Sequence, residues 1–346
     1  MKPMLYGCGT AAGLAFCLLA GIGTAPSQGD KKYPIVEKCK HESYAEKLTD
    51  QVKFEMIAIP GGTFLMGSPE NEKGRKEGEG PLHLVTIKPF WMGKCEVTWN
   101  EYDLYWVKKP GKQPSPKTDN DKAADAVTRP TPPYADETFG HPDARAGGPV
   151  LCITHHAAMK YCEWLSAKTG KYYRLPTEAE WEWACRAGAT TAFSFGDDPG
   201  KIEDYAWCDK NSEDVAHKVR QKKANPWGLH DMHGNLSEWC LDHYLKDGYK
   251  KFDLGKPFLQ PVELPTDARY SYVVRGGSWA DPPAMLRSAA RRGSNKDWLR
   301  RDPQRPQSIW WMTDADFVGF RVVRAVEEQA NLKALHSKMT RESPDN

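Results

Sequence analysis

The stretch Arg174-Leu-Pro-Thr-Glu-Ala-Glu-Trp-Glu-Trp-Ala-Cys-Arg-Ala-Gly188 leaves the chain little conformational choice. Pro176 stops a short extended run, and Thr177 opens a helix. The Thr177 hydroxyl can accept from the free N–H groups of the first turn, and Glu180 stands three residues on, as a capping box requires. Trp181, Ala184 and Cys185 recur at helical spacing, which predicts one buried face. Glu178, Glu180 and Glu182 lie near the positive end of the helix dipole, and Gly188 is a natural C-cap. This is a well-specified helix that by itself carries no chemistry.

The remainder of the chain reads as loop-rich. There are 29 glycines and 26 prolines in 346 residues, together with 13 tryptophans, which predicts many turns around an aromatic core rather than long regular elements. The length suits one large domain or two small ones, and no internal period marks a repeat architecture. A net charge of +2, with no long basic stripe, points away from nucleic acid as a partner. The short run Lys218–Lys223 reads as a solvated loop.

Residues 1–27 read as a secretory signal peptide. Lys2 supplies the n-region, Ala11–Gly23 an apolar core too short for a comfortable membrane span, and Ala25-Pro-Ser27 a small-x-small cleavage site. This predicts a secreted or periplasmic protein with no span in the mature chain; the alternatives are an uncleaved N-terminal anchor and a lipoprotein. Phe16 precedes Cys17 where a lipoprotein needs a small residue, and Cys8 lies too near the start. Cys39, Cys95, Cys152, Cys162, Cys185, Cys208 and Cys240 remain, enough for three bridges and one thiol over, and no Cys-x-x-Cys supports a zinc ribbon or thioredoxin-type site.

Residues 28–53 read as a polar linker with a short helix around Glu42–Lys47, and the domain as beginning at Phe54. Met56–Gly67 gives two strands around Pro60-Gly-Gly62, residues 69–80 a charged loop, and Leu82–Ile87 a further strand. Thr98 caps a helix over Asn100–Val107. Residues 108–149 form an insertion rich in proline, lysine and aspartate, whose Arg129 and Tyr134 could line a cleft. A second helix spans 155–169. Tyr272–Arg275, Arg287–Arg292 and Val318–Arg324 are the late strands, and residues 326–346 a tail with a short helix at Glu327–Lys338.

Six motifs occur in one order: Ile59-Pro-Gly-Gly-Thr-Phe-Leu-Met-Gly-Ser68, Glu96-Val-Thr98, Arg174–Trp183, Gly228-Leu-His-Asp-Met-His-Gly-Asn-Leu-Ser-Glu-Trp239, Arg275-Gly-Gly-Ser-Trp279 and Gly319-Phe-Arg321. Together they resemble the formylglycine-generating enzyme, or sulfatase-modifying factor, family over residues 54–325. The resemblance implies an α+β variant of the C-type-lectin fold with little regular secondary structure. It also implies an oxidase that converts a sulfatase cysteine to formylglycine with O₂ and copper held by two thiolates. A soft Cu(I) ion needs those thiolates. They should follow the Arg-Gly-Gly-Ser-aromatic motif, yet Ala280-Asp-Pro-Pro-Ala-Met-Leu286 has no cysteine, and none occurs after Cys240. Copper is therefore not expected, although convergence of Cys208 and Cys240 on the cleft would restore a pair. Met285 reads as packing.

By the same resemblance, Cys162 and Cys185 sit at bridging positions whose partners are replaced by Ser288 and Val322, which predicts two buried thiols. A calcium ion is implied at Asp231 and Glu238, with the carbonyls of Gly234 and Leu236; oxygen donors along a tight turn suit a hard cation. The alternative is a capped turn without metal. Ser278 and Trp279 hold the family's substrate-cleft position, and Arg287, Arg291 and Arg292 would form an anion-attracting wall or pair with Asp314–Asp316. His155, His156, His230 and His233 read as structural. Two function classes stand open: an exported, non-oxidase binding or accessory protein that holds a peptide or glycan, and a formylglycine-generating oxidase with a noncanonical site.

Overall fold

The computed structural model describes residues 33–106, 139–145, 147–252, 255–303 and 305–345. The signal-peptide segment, most of the insertion, and Arg129 and Tyr134 lie outside them. Three four-stranded sheets organise the described residues. The first runs β1 (Ile35–Val36), β4 (Gly62–Met66), β5 (His83–Ile87), β8 (Phe258–Leu259). The second runs β10 (Arg291–Gly293), β9 (Tyr272–Arg275), β7 (Ser237–His243), β11 (Val318–Gly319). The third runs β12 (Val323–Ala325), β6 (Phe90–Gly93), β3 (Lys53–Ile59), β2 (Tyr44–Lys47). With the helices α1 (Trp99–Trp106), α2 (His155–Thr169) and α3 (Glu178–Arg186), this is the expected α+β, C-type-lectin-like architecture.

Two expectations from the sequence change. Residues 44–47 form a strand rather than a helix, antiparallel to β3 with Tyr44 opposite Met56. The two-residue alternation decides this: Ala45 and Lys47 face solvent, while Glu46 turns inward to accept hydrogen bonds from Tyr173 and Lys171. Because β1 and β2 complete two sheets, residues 33–53 belong to the domain rather than to a linker. The tail forms turns rather than a helix and packs on the domain, with Leu332 and Met339 buried and Glu328 bonded to Arg174.

Helix α3 forms as its caps dictate. Thr177 Oγ1 accepts from Glu180 N at 3.2 Å, and Glu180 Oε2 accepts from Thr177 N at 2.9 Å. Ala187, in the left-handed region at φ 47°, closes the helix one residue before Gly188. The helix packs against β4, β5, β7 and β9 and buries Trp181 and Trp183 completely. Its three glutamates are buried too, and each holds arginine. Glu178 binds Arg291, and Glu180 binds Arg174 through both oxygens. Glu182 accepts from Arg186, Arg275 and the Gly67 N–H. Removing one partner of such a pair strands a charge in the core, at about 3–5 kcal/mol.

The start of α1 carries a titratable group. Glu101 Oε2 accepts from Thr98 N at 3.0 Å and from Thr98 Oγ1 at 2.5 Å, and burial pushes its carboxyl up to about 7. A carboxyl raised on folding takes up a proton as the chain folds, so its contribution is complete at low pH and is lost as pH rises through 7. Wild-type protein is therefore expected to lose about 1.4 kcal/mol of stability relative to Glu101→Gln between pH 6 and pH 8. Urea melts of both proteins at the two pH values check this, and parallel profiles would show that Glu101 is ionised throughout.

Candidate functional site

The site is built on the turn that ends β9. Gly276 and Gly277 both adopt left-handed backbone, at φ 92° and 66°. A Cβ on Gly277 would fall 2.6 Å from Leu286 Cδ1 and 2.8 Å from Met285 O. Only glycine therefore lets segment 280–287 fold back over the turn. This places Ser278, 1% exposed, beside Asp281. Ser278 Oγ donates to Asp281 Oδ2 at 2.7 Å. Arg292 donates from Nη1 to Asp281 Oδ1 at 3.2 Å, and from Nη2 to Asp281 Oδ2 at 2.9 Å and to Ser237 Oγ at 2.6 Å. The Arg292 guanidinium lies 4.8 Å from the centre of the Phe317 ring. The segment after the glycine turn thus presents a serine, a carboxylate and a guanidinium. This is an ion-paired, oxygen-rich arrangement with no affinity for a soft metal. Sequence reasoning misses Asp281, because no motif joins it to its partner Arg292, 11 residues on.

The four predicted cleft residues do not converge. Ser278 and Trp279 share the turn; the Trp279 indole donates to Asp316 O at 3.3 Å and meets His141 edge-on at 5.2 Å. Arg287 lies on the far side of segment 280–287, where Glu72 Oε1 at 2.5 Å and both Glu79 oxygens take its Nη groups. Arg291 is held by Glu178 at 2.6 and 2.7 Å, between Tyr244 and Tyr249. No anion-attracting wall results, because each buried guanidinium has its carboxylate. Nor do these arginines pair with Asp314–Asp316: Asp314 takes Arg301 instead.

The seven described cysteines are all free thiols. Cys185 Sγ lies 3.6 Å from Ser288 Oγ, so one of the two positions named for the lost bridge partners is its neighbour, with serine in place of sulfur. Cys208 packs with Phe193 and Leu286, whereas Cys240 sits on β7 in a different core cluster. Burial raises both thiols, Cys240 far above the usual range, and pushes Cys185 up to about 12. None of them is a thiolate at neutral pH. His155 is structural, stacked on Tyr272 at 3.9 Å, and burial lowers it to about 3.

The predicted calcium loop assembles only in part. Asp231 is buried in left-handed backbone at φ 59°; its Oδ2 accepts from Arg220 N at 2.7 Å, and its Oδ1 has no hydrogen-bond partner among the described residues. Glu96 Oε2 is likewise buried and unpartnered, while Oε1 accepts from Asn235. Burial, and then the nearby charge of Asp231, raises the Glu96 carboxyl. Glu238 is committed elsewhere: Arg321 takes Oε1 at 2.5 Å and Oε2 at 2.6 Å, and the Trp181 indole donates to Oε2 at 2.8 Å. Asp231 thus fits a hard cation and Glu238 does not. Among the described residues no group of three or more His, Cys, Asp or Glu side chains is arranged to hold a metal.

Residues 42–326 match the sulfatase-modifying factor enzyme 1-like domain. The chain belongs to this family. The chain is 30% identical over 266 residues to the serine/threonine-protein kinase pkn1 of Chlamydia caviae, covering 76% of this chain and 39% of that protein, so it spans about two-fifths of this relative. It is 28% identical to the formylglycine-generating enzyme of Streptomyces coelicolor, over 64% of this chain and 78% of that one. It is also 28% identical to the inactive C-alpha-formylglycine-generating enzyme 2 of Mus musculus, over 65% and 74%. Among solved structures, PvdO from Pseudomonas aeruginosa superimposes with a TM-score of 0.60 at 29% identity, covering 83% of this chain and all of that one. As a sulfatase-modifying-factor-like domain, the chain keeps the scaffold and carries Ser278, Asp281 and Arg292 at the turn where the family's copper thiolates were expected. No helix among the described residues is long and apolar enough to cross a membrane.

Alkylation of the native protein with iodoacetamide is expected to label the half-exposed Cys39 first. Cys185, Cys208 and Cys240 should be labelled only after denaturation, as read by peptide mass mapping. Fast native labelling of Cys208 and Cys240 would contradict their burial.

Proposed function

We propose that this protein is an exported binding or accessory module of the sulfatase-modifying factor family that holds a peptide or glycan and performs no copper oxidation. The observation that carries this is the Ser278–Asp281–Arg292 cluster at the family's oxidase position. The cluster offers Cu(I) only hard oxygen atoms already paired with a guanidinium, and the buried neutral thiols elsewhere offer no thiolate pair. The name of the mouse relative describes a member without activity, and the match to part of a kinase is in keeping with an accessory role. The composition of residues 1–27 supports export.

Calcium belongs to the same reading. The unpartnered Oδ1 of Asp231 supports it, and the carbonyls of Gly234 and Leu236 would join that oxygen, with Glu96 rather than Glu238 as the second carboxylate. The ion would stabilise the loop and takes no part in a reaction.

Titration of the purified domain with copper(I) is expected to show no stoichiometric binding. A Cys-x-Pro-x-Arg peptide incubated with protein, O₂ and reductant should keep its thiol mass. Tight copper binding that disappears on mutation of Cys208 or Cys240, or conversion of the peptide, would establish the noncanonical oxidase instead. Calcium titration by calorimetry adds a separate check. Asp231→Asn should abolish the heat. Glu238→Gln should keep it while lowering stability by roughly 3 kcal/mol through loss of the Arg321 pair. Loss of the heat in Glu238→Gln would restore Glu238 as a ligand.

A further inference from the structure

A cleft of about 770 Å³ borders segment 280–287. Its walls come from the loop after β4, the loop after α3, and Pro282–Arg287. A smaller compartment of about 200 Å³ adjoins it and is lined by Tyr33, Phe64, Leu65 and Leu82. Pro69 and Thr190 line both, so the two form one continuous groove. We propose that this groove binds an extended peptide carrying an apolar residue for the smaller compartment and acidic residues for the larger. The inference rests on the reading of the domain as a binding module and supplies its ligand class.

Three observations carry it. First, the groove is preformed. Arg287 donates to Glu72, Glu79 and the Gly74 carbonyl from its Nη groups, and from Nε to Ala284 O at 2.8 Å. One side chain thereby ties the 72–79 loop to the opposite wall, so little ordering entropy opposes binding.

Second, the groove offers two uncommitted ammonium groups, while its glutamates are already held. Arg287 and Ser68 consume both Glu79 oxygens, Arg287 holds Glu72, and Asp197 Oδ1 accepts from Ala192 N at 2.8 Å. Lys73 and Lys210, both exposed, line the cleft and make no ion pair among the described residues. Carboxylates on a ligand complement these two ammonium groups.

Third, the remaining surface is apolar and elongated. Pro69, Pro199, Pro282 and Pro283 line the cleft, and Leu65, 42% exposed, lines the second compartment. Such a wall suits side chains alternating along an extended backbone.

Selection from a phage-displayed peptide library on the full mature chain tests this. Enrichment of aspartate or glutamate near a leucine, isoleucine or phenylalanine is expected. Synthetic versions of the winners, read by fluorescence polarisation, should bind roughly ten-fold or more weakly to Lys73→Glu/Lys210→Glu and to Leu65→Asp. These positions are exposed, so melting temperatures should stay unchanged. Selection without acidic enrichment, winners whose affinity ignores both variants, or preferential binding of a heparin oligosaccharide would overturn the peptide assignment. Failure here with the copper(I) titration silent overturns this inference alone; stoichiometric copper binding overturns the reading beneath it.

Discussion

The fold depends on three glutamates in a nine-residue helix. Glu178, Glu180 and Glu182 each point into the interior, and each is met by arginine from elsewhere in the chain: Arg291 from β10, Arg174 from the segment before the helix, and Arg275 from the end of β9. Hydrophobic burial would allow the sheets to slide against α3, because apolar contacts are not directional. Carboxylate–guanidinium pairs do not allow it: Glu178–Arg291 and Glu180–Arg174 are bidentate and fix both distance and orientation, and Glu182 is shared between Arg275 and Arg186. Glu182 extends the constraint to the first sheet through the Gly67 N–H. A chain with so few regular residues thereby acquires a defined arrangement of its sheets from paired charges rather than from long elements.

That arrangement separates scaffold from chemistry. Arg275 is held by α3, and directly after it the two left-handed glycines redirect the backbone, so the place where Ser278 emerges is set by the core. The segment 280–287 touches the core mainly through Leu286 and Arg287. In this chain it supplies Asp281 to Arg292 on one side and, through Arg287, the wall of a groove on the other. The same anchoring can present thiolates in one member of a family and an ion pair in another, because nothing in the α3 network depends on the residues between Ser278 and Leu286.

How much of this is legible in the sequence varies with the range of the interaction. The α3 capping box, the span of α2 and the Tyr272–Arg275 strand are local, and their signals lie within a few residues. The absence of cysteine after Cys240 is also plain, and the family match places the chain on the scaffold read from its six motifs. The acidic residues of α3 mislead: at the start of a helix, glutamates read as dipole partners facing water, and nothing nearby announces Arg275 and Arg291, 93 and 113 residues away from the carboxylates they meet. Glu238 is likewise met by a partner that nothing nearby announces, Arg321, which arrives from the other end of the domain. At Tyr44–Lys47 the local pattern is ambiguous between helix and strand, and pairing with β3 decides it.

The Glu328 contact bears on the order of assembly. Glu328 lies 154 residues after Arg174, the residue it binds, and past the last strand of every sheet. The three sheets can therefore assemble while Arg174 has only Glu180 for a partner. The tail then closes over α2, where Tyr172 meets the Leu332 carbonyl, and supplies the second carboxylate. The segment that looks most dispensable in the sequence thus supplies a second carboxylate to a guanidinium buried in the core.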